Sequence, residues 1–150
     1  MASGSIRSCH GASHLGRALG PAVAADITGI VVHIVDGDTF DIETPNEIVR
    51  IRLCGVDSPE RGHTGYNAAK EALRGQIEDW EVRCVRVGEG SVCDGRSKPK
   101  NRDRIVAQCF LDDADVATLM IKARAACDWP KFSGGHYQNV GTADVCIRTK

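Results

Sequence analysis

Two short stretches of the sequence concentrate acidic residues next to apolar segments. The first, DGDTF, spans residues 36–40 and contains Asp38; the second, RIRLCGVDSPE, spans residues 50–60 and contains Asp57 and Glu60. Two carboxylates within a few ångströms of each other repel unless one is protonated or a cation bridges them. Hard oxygen ligands favour Ca²⁺ or Mg²⁺ over softer metals. The residues alone leave two interpretations open: a metal site, or two turns built from Asp, Gly, Ser and Pro.

Two arginines close to these acids could bind a phosphate group. Arg52 alternates with the apolar residues of its segment, and Arg104 begins a later apolar segment, RIVAQCFL. A planar guanidinium donates two parallel hydrogen bonds to phosphate oxygens. If the acids hold a cation, the Ser58 carbonyl could be a further ligand, and Glu60 could bind or orient a water on the ion.

A basic segment leads into Arg104. Positive side chains occupy every second position here, namely Arg96, Lys98, Lys100, Arg102 and Arg104. In an extended segment this spacing lines one side with positive charge. It predicts a groove for a phosphate backbone in which Lys98, Lys100 and Arg102 contact the substrate. The alternative is a mobile, solvated hairpin tip. Asp103 could pair with Arg104 and weaken its charge, or point away from it by strand alternation.

The elements that must position these residues follow from hydrophobic periodicity. Alternating and β-branched residues predict three strands over residues 27–35, 38–44 and 47–54, joined by short turns. Two further strands are predicted at EVRCVRV and RIVAQCFL, residues 81–87 and 104–111. The short links between the first three strands favour a meander.

Two amphipathic helices complete the pattern. The first has apolar residues at helical spacing within residues 66–80, namely Ala69, Leu73, Ile77 and Trp80. The second covers residues 115–129, with Asp115 as its N-cap and with Val116, Leu119, Met120, Ala123 and Cys127 at helical spacing. This order predicts a mainly β, α+β fold. It is a five-stranded OB-fold barrel with one helix between strands three and four and a second helix after strand five.

Composition limits the class of protein. The chain has 150 residues, of which 42% are hydrophobic and 26% charged, as in a globular protein with one core. It contains no run of 18 apolar residues, so we predict no transmembrane helix and no membrane partner. The formal net charge is only −1, which excludes indiscriminate coating of nucleic acid. Any recognition of phosphate must therefore be local.

The N-terminal residues and the cysteines indicate where the protein is located. Residues 1–25 end in PAVAA, which resembles a processing site directly before Asp26, so we interpret them as a degraded or altered leader and expect disorder. We expect the domain over residues 26–132 and an irregular tail over residues 133–150. Seven cysteines without CxxC spacing favour disulfides in a secreted or periplasmic protein over buried free thiols.

One disulfide can be predicted from strand parity. Cys84 and Cys109 each share a strand face with apolar neighbours, so an antiparallel hairpin would bring their sulfurs together. A Cys84–Cys109 bond is therefore the first pairing to expect. The alternative is that both are small core residues with free thiols.

Several dispersed motifs together resemble the staphylococcal nuclease (thermonuclease) family. They are DGDTF, RIRLCGVDSPE, a helix headed by Tyr, RDRIVAQC and a helix ending in ACDW, in the family's order and spacing. The resemblance covers roughly residues 27–132. The stretch CDWPKFSGGHY is further similar to small exported members of this family from bacterial exopolysaccharide gene clusters.

The resemblance implies a Ca²⁺-dependent phosphodiesterase that cleaves DNA and RNA and leaves 3′-phosphate ends. By position, it implies that Asp38, Asp57 and the Ser58 carbonyl bind the metal, with Mg²⁺ or another divalent ion as an alternative. It also implies that Glu60 activates the attacking water. Arg52 and Arg104 would stabilise charge on the phosphate from opposite sides, and Arg104 would assist the leaving 5′-oxygen.

Some features depart from the family pattern and leave a second function open. The family commonly has Tyr-Gly before the second arginine, where this chain has Arg102 and Asp103, and its prototype is strongly basic. The alternative is therefore a non-catalytic OB-type module that binds nucleic acid or an anionic polysaccharide. On the nuclease interpretation, the substrate is single-stranded or duplex nucleic acid and the protein is expected to be a monomer.

Overall fold

The computed structural model describes residues 26–141. The predictions for residues 1–25 and for the end of the tail, residues 142–150, lie outside this range. The strands of the described part are β1 (Ile27–Ile34), β2 (Thr39–Glu43), β3 (Ile48–Leu53), β4 (Val56–Asp57), β5 (Glu81–Arg86), β6 (Lys100–Asn101), β7 (Arg104–Leu111), β8 (Ala114–Asp115) and β9 (Cys127–Asp128). Its helices are α1 (Tyr66–Ile77), α2 (Val116–Lys122) and α3 (Pro130–Ser133).

Five strands close into a barrel, which confirms the predicted OB-fold. Strand β1 pairs antiparallel with β2 and β5, β2 pairs with β3, and β5 pairs with β7. The barrel closes through parallel pairing of β3 with β7, in which Ile51 lies opposite Ile105 and Arg52 opposite Val106. Helix α1 lies between the third and fourth barrel strands and α2 follows the fifth, as the sequence predicts.

The core fills the barrel and the space beneath the two longer helices. Val31 on β1 and Ile51 on β3 point inward and are fully buried, whereas their neighbours along these two strands are more exposed. The apolar face of α1 contributes Leu73, and α2 contributes Met120. The period-two and helical patterns in the sequence thus converge on one core.

The helices end earlier than their apolar periodicity suggests. Helix α1 stops at Ile77, so Trp80, which the helical spacing assigns to the apolar face of the helix, lies beyond it and is 63% exposed. Helix α2 stops at Lys122 because Arg124 adopts a left-handed conformation and the Ala125 N–H donates back to the Met120 carbonyl.

The N-terminus of α2 and the segment after α3 are tied together. As predicted, Asp115 caps α2, accepting hydrogen bonds from the N–H groups of Ala117 and Thr118. Its other carboxylate oxygen accepts from the Tyr137 hydroxyl at 2.9 Å. Tyr137 is fully buried, so residues beyond α3 also contribute to the core.

Two disulfides connect pairs of described cysteines. Cys84 and Cys109 lie directly opposite each other on β5 and β7, with Cα atoms 4.0 Å apart, and the predicted bond between them is confirmed. A second bond, which the sequence did not predict, joins Cys54 to Cys93. Such bonds persist in oxidising compartments and fit a protein outside the cytoplasm. No helix between residues 26 and 141 has the length and apolar character needed to cross a bilayer.

Removal of the barrel disulfide should weaken the fold. We expect the Cys84→Ala/Cys109→Ala variant to lose about 2–4 kcal/mol of unfolding free energy, since the bond restricts the unfolded chain. Guanidinium unfolding followed by far-UV circular dichroism measures this loss. An unchanged midpoint in the double variant would contradict the pairing.

Candidate active site

The DGD turn brings Asp38 to the end of β3. The Asp38 N–H donates to the Asp36 carboxylate at 3.0 Å, and the Asp38 carbonyl accepts from the Leu53 N–H at 2.9 Å. Gly37 is required here because a Cβ atom at this position would lie 2.8 Å from the Cβ atoms of both Ala69 and Ser58. The turn is thus pressed between helix α1 and the segment after β4.

Four of the predicted site residues meet at this point. The buried Asp38 carboxylate accepts hydrogen bonds from the Thr39 hydroxyl at 3.0 Å and from the Ser58 N–H at 3.1 Å. Arg52 Nη2 lies 3.1 Å from Asp38 Oδ2 and 3.8 Å from Asp57 Oδ1. The two carboxylates therefore converge on one nitrogen of one guanidinium.

The Arg52 side chain is held from its other side by the backbone. Its Nη1 donates to the carbonyl of Leu53 and, at 2.9 Å, to the carbonyl of Val56. The side chain is only 12% exposed. Arg52 is therefore fixed in one orientation before any ligand arrives, which is the condition for effective electrostatic stabilisation of a reacting group.

Burial leaves the Asp38 carboxylate short of compensating charge. Desolvation raises the pKa of Asp38 to about 6, although the Arg52 guanidinium acts in the opposite direction; the neighbouring Asp36 carboxyl raises it further. A cation near Asp38 would favour its ionised form. Asp36 was not among the predicted site residues, although it belongs to the same DGD motif.

The donor set fits a hard dication. Asp38 and Asp57 offer carboxylate oxygens, and the backbone after β4 offers carbonyl oxygens, the ligands that Ca²⁺ prefers. Within residues 26–141 no cluster of three or more His, Cys, Asp or Glu side chains could enclose a metal ion. A site built on Asp38 and Asp57 must therefore take its remaining ligands from carbonyls and water, as Ca²⁺ and Mg²⁺ sites commonly do.

Glu60 and Arg104 are located by their neighbours along the chain and across the sheet. Glu60 is exposed, in the segment that leads to α1, and its carbonyl accepts from the His63 N–H. Arg104 lies two residues before Val106, the β7 partner of Arg52. It therefore shares a strand face with Val106, displaced by roughly 7 Å along β7.

Asp103 is paired with an arginine of β3. Its carboxylate lies 3.7 Å from Arg50 Nη1, and Arg50 also forms a bidentate pair with Asp41 at 2.7 and 3.0 Å. The nearest hydrogen-bond acceptor described for Arg104 is the Asn101 carbonyl, 3.5 Å from Nε, a distance at which such a bond is weak. Asp103 thus forms an ion pair with Arg50, and it does so from the turn between β6 and β7 rather than by strand alternation.

A groove of about 720 Å³ opens beside Arg52. Its lining includes the positive residues Arg96, Lys98, Lys100 and Arg102 together with Val56, Trp129 and Phe132. The Trp129 and Phe132 rings pack edge to face, with centroids 4.7 Å apart. Cations and aromatic rings in one groove suit a polymer of phosphates and bases.

The basic segment reaches this groove by a different path from the one predicted. It is not extended: residues 92–97 form successive turns, and only Lys100–Asn101 pairs as a strand, with Arg102 in a left-handed turn. Lys98, Lys100 and Arg102 nevertheless line the groove, whereas Arg104 does not. The two aromatic residues were missed, and the CDWPKF motif is the signal that could have indicated them.

Comparison with known proteins identifies the family. No protein-family model matches the chain. An uncharacterized endonuclease of Escherichia coli is 46% identical over 114 residues, which cover 75% of this chain and 68% of that protein. Micrococcal nuclease of Shigella flexneri is 41% identical over 49 residues, 33% of this chain and 28% of that protein. Protein ParB of E. coli is 40% identical over 53 residues, 35% of this chain and 30% of that protein.

The chain matches less than a third of the length of ParB and of micrococcal nuclease, but more than two thirds of the E. coli endonuclease. Together with the OB-fold barrel, this similarity shows that the chain belongs to the staphylococcal nuclease-like family.

The raised pKa of Asp38 predicts how the metal-free protein responds to pH. The folded state binds this proton more tightly than the unfolded chain, so the stability it contributes is complete below pH 4 and is lost as pH rises through 6. An amide cannot titrate. The unfolding free energy of the Asp38→Asn variant minus that of wild type should therefore increase by about 2 kcal/mol as pH rises from 4 to 8. Urea unfolding in EDTA measures the difference. A difference that stays constant with pH would contradict the assigned burial.

Proposed function

We propose that this protein is a divalent-cation-dependent nuclease that hydrolyses phosphodiester bonds in DNA or RNA, with Ca²⁺ as its ion and 3′-phosphate ends as its products. The observation that carries the proposal is the convergence of Asp38 and Asp57 on the fixed guanidinium of Arg52. The nuclease and endonuclease names of its relatives support the same reaction.

The ion would be held by the carboxylates of Asp38 and Asp57 and by the carbonyl of Ser58. When bound, it supplies positive charge that polarises the phosphate and lowers the pKa of a coordinated water. Its charge would also favour the ionised form of the buried Asp38 carboxylate, whose desolvation the Arg52 guanidinium offsets only in part.

Three side chains would have further roles in the reaction. Arg52, whose Nη2 faces Asp38 and Asp57, would place its positive charge beside the non-bridging oxygens of the scissile phosphate, where negative charge increases as the water attacks. Glu60, which is exposed three residues after Asp57, would accept a proton from that water. The bond from phosphorus to the 5′-oxygen breaks, Arg104 stabilises the charge on the leaving oxygen, and the phosphate remains on the 3′ side.

The groove would hold the rest of the substrate. Lys98, Lys100 and Arg102 would contact phosphates that neighbour the scissile one, and Trp129 would stack on a base. The positive charge is thus concentrated at the groove, which is consistent with a chain of net charge −1. We expect the nuclease to act as a monomer on single-stranded or duplex nucleic acid in a secreted or periplasmic location.

The first test compares two arginines. Arg52→Ala should lower kcat/KM for a single-stranded oligonucleotide by about 10²–10³-fold in the presence of Ca²⁺, the scale of losing one preorganised donor. Arg83→Ala is the matched control, since Arg83 also lies on a barrel strand and pairs with an aspartate, Asp26, at 2.8 Å. It should retain activity within about threefold.

Three results would contradict the nuclease proposal. The first is cleavage that persists in EDTA, and the second is an equal loss of activity in both arginine variants. The third is tight binding without cleavage under any divalent ion, which would favour the non-catalytic module. Mass spectrometry of the products tests the chemistry separately: the expected ends are 3′-phosphate and 5′-hydroxyl, and 5′-phosphate ends would contradict the assigned leaving group.

A further inference from the structure

The basic side of the groove is fastened to the barrel by the second disulfide. Cys54 follows Arg52 by two residues, and its sulfur is bonded to Cys93 in the segment between β5 and β6. Both cysteines are buried, in a small apolar cluster with Val87 and Val106 that is separate from the main core. The segment therefore has its own anchor, directly behind the site.

The segment is also ordered internally around Asp94. Its carboxylate accepts hydrogen bonds from the N–H groups of Gly88 at 2.6 Å and Gly90 at 2.8 Å, and from both the N–H and the hydroxyl of Ser91. Although desolvation opposes it, these hydrogen bonds keep the pKa of Asp94 below its ordinary value, so the carboxylate is ionised. Asp94 does not line the groove.

The position of Cys93 determines the position of the first groove cations. The Cys93 carbonyl accepts hydrogen bonds from the N–H groups of Arg96 and Ser97, both at 3.0 Å. The Arg96 guanidinium in turn lies against Gly134, where a Cβ atom would come within 2.6 Å of Arg96 Nε. The segment is thus held at two points: by the Cys54–Cys93 bond next to the end of β3, and by the contact of Arg96 with Gly134 at the end of α3.

We propose that the Cys54–Cys93 disulfide is a positioning element for substrate binding. It holds the basic segment against the end of β3, so that Arg96, Lys98 and Lys100 meet the phosphates next to the one that Arg52 binds. The inference rests on the proposed function, because it assigns these cations to the same substrate. The four cations that line the groove, Arg96, Lys98, Lys100 and Arg102, repel each other. A segment released from its anchor would therefore have to be ordered again at each binding event.

The test is nucleic-acid binding by the full chain, measured as the fluorescence anisotropy of a labelled single-stranded oligonucleotide in EDTA. The Cys54→Ala/Cys93→Ala variant should bind about tenfold more weakly than wild type. The slope of log Kd against log salt concentration should be smaller by about 1.4 in this variant. Each phosphate contact on a single strand contributes about 0.7 to the slope, and we expect two contacts to be lost. In Ca²⁺, KM should rise by a similar factor while kcat changes less than about threefold.

The barrel disulfide supplies the matched control. The Cys84→Ala/Cys109→Ala variant also loses one buried cross-link, but neither residue lines the groove, so its Kd should equal that of wild type. If the Cys54→Ala/Cys93→Ala variant binds like wild type, or if both double variants weaken binding equally, the proposal is overturned. Because binding is measured without turnover, this result is independent of whether the protein cleaves its substrate.

A second variant keeps the test decisive if loss of the disulfide impairs folding. Asp94→Ala leaves the Cys54–Cys93 bond intact and removes the hydrogen bonds that order the segment. We expect it to weaken binding about threefold with a circular dichroism spectrum like that of wild type. Binding equal to wild type in a folded Asp94→Ala protein would count against a role of segment order in substrate binding.

Discussion

The structure depends on one buried guanidinium. Arg52 is nearly enclosed, and a buried charge is tolerated only when it is paired and hydrogen-bonded. Its partners come from separate elements: the Asp38 carboxylate at the start of β2, Asp57 at the end of β4, and carbonyls of the chain between β3 and β4. These elements must meet where they do, or both the charge and its counterions would be buried without compensation.

The closure of the barrel joins this cluster to the groove. Parallel pairing of β3 with β7 sets the start of β7, and with it the hairpin of β6 and β7, alongside Ile51 of β3. Pairing of β4 with β9, extended by the hydrogen bond from the Trp129 N–H to the Gly55 carbonyl, brings the aromatic residues to the same groove. The groove is therefore a product of long-range pairing, and its chemistry combines residues from distant parts of the chain.

Local patterns were sufficient for the barrel and for the centre of the site. Period-two alternation located the five barrel strands, parity located the Cys84–Cys109 bond, and Asp115 marked the start of α2. The DGD and DSPE stretches indicated the neighbourhood of Asp38 and Asp57 because β2 and β3 are consecutive strands of a meander. What failed were helix ends and the path of the basic segment. Apolar spacing continues past Lys122, but the left-handed Arg124 ends the helix, and regular spacing from Arg96 to Arg102 does not reveal turns held by Asp94 and by the Cys54–Cys93 bond.

Calcium binding by calorimetry tests the account of the site most directly, because it needs neither substrate nor turnover. Titration of CaCl₂ into the wild-type protein at pH 8 should show one ion bound per chain, and Asp57→Asn should weaken that binding by at least about tenfold. The same protein titrated at pH 5 should bind more weakly, since the proton on the buried Asp38 carboxylate competes with the ion. A wild-type protein that binds no divalent cation at pH 8, or an Asp57→Asn variant that binds as tightly as wild type, would contradict the assignment of this cluster as a cation site.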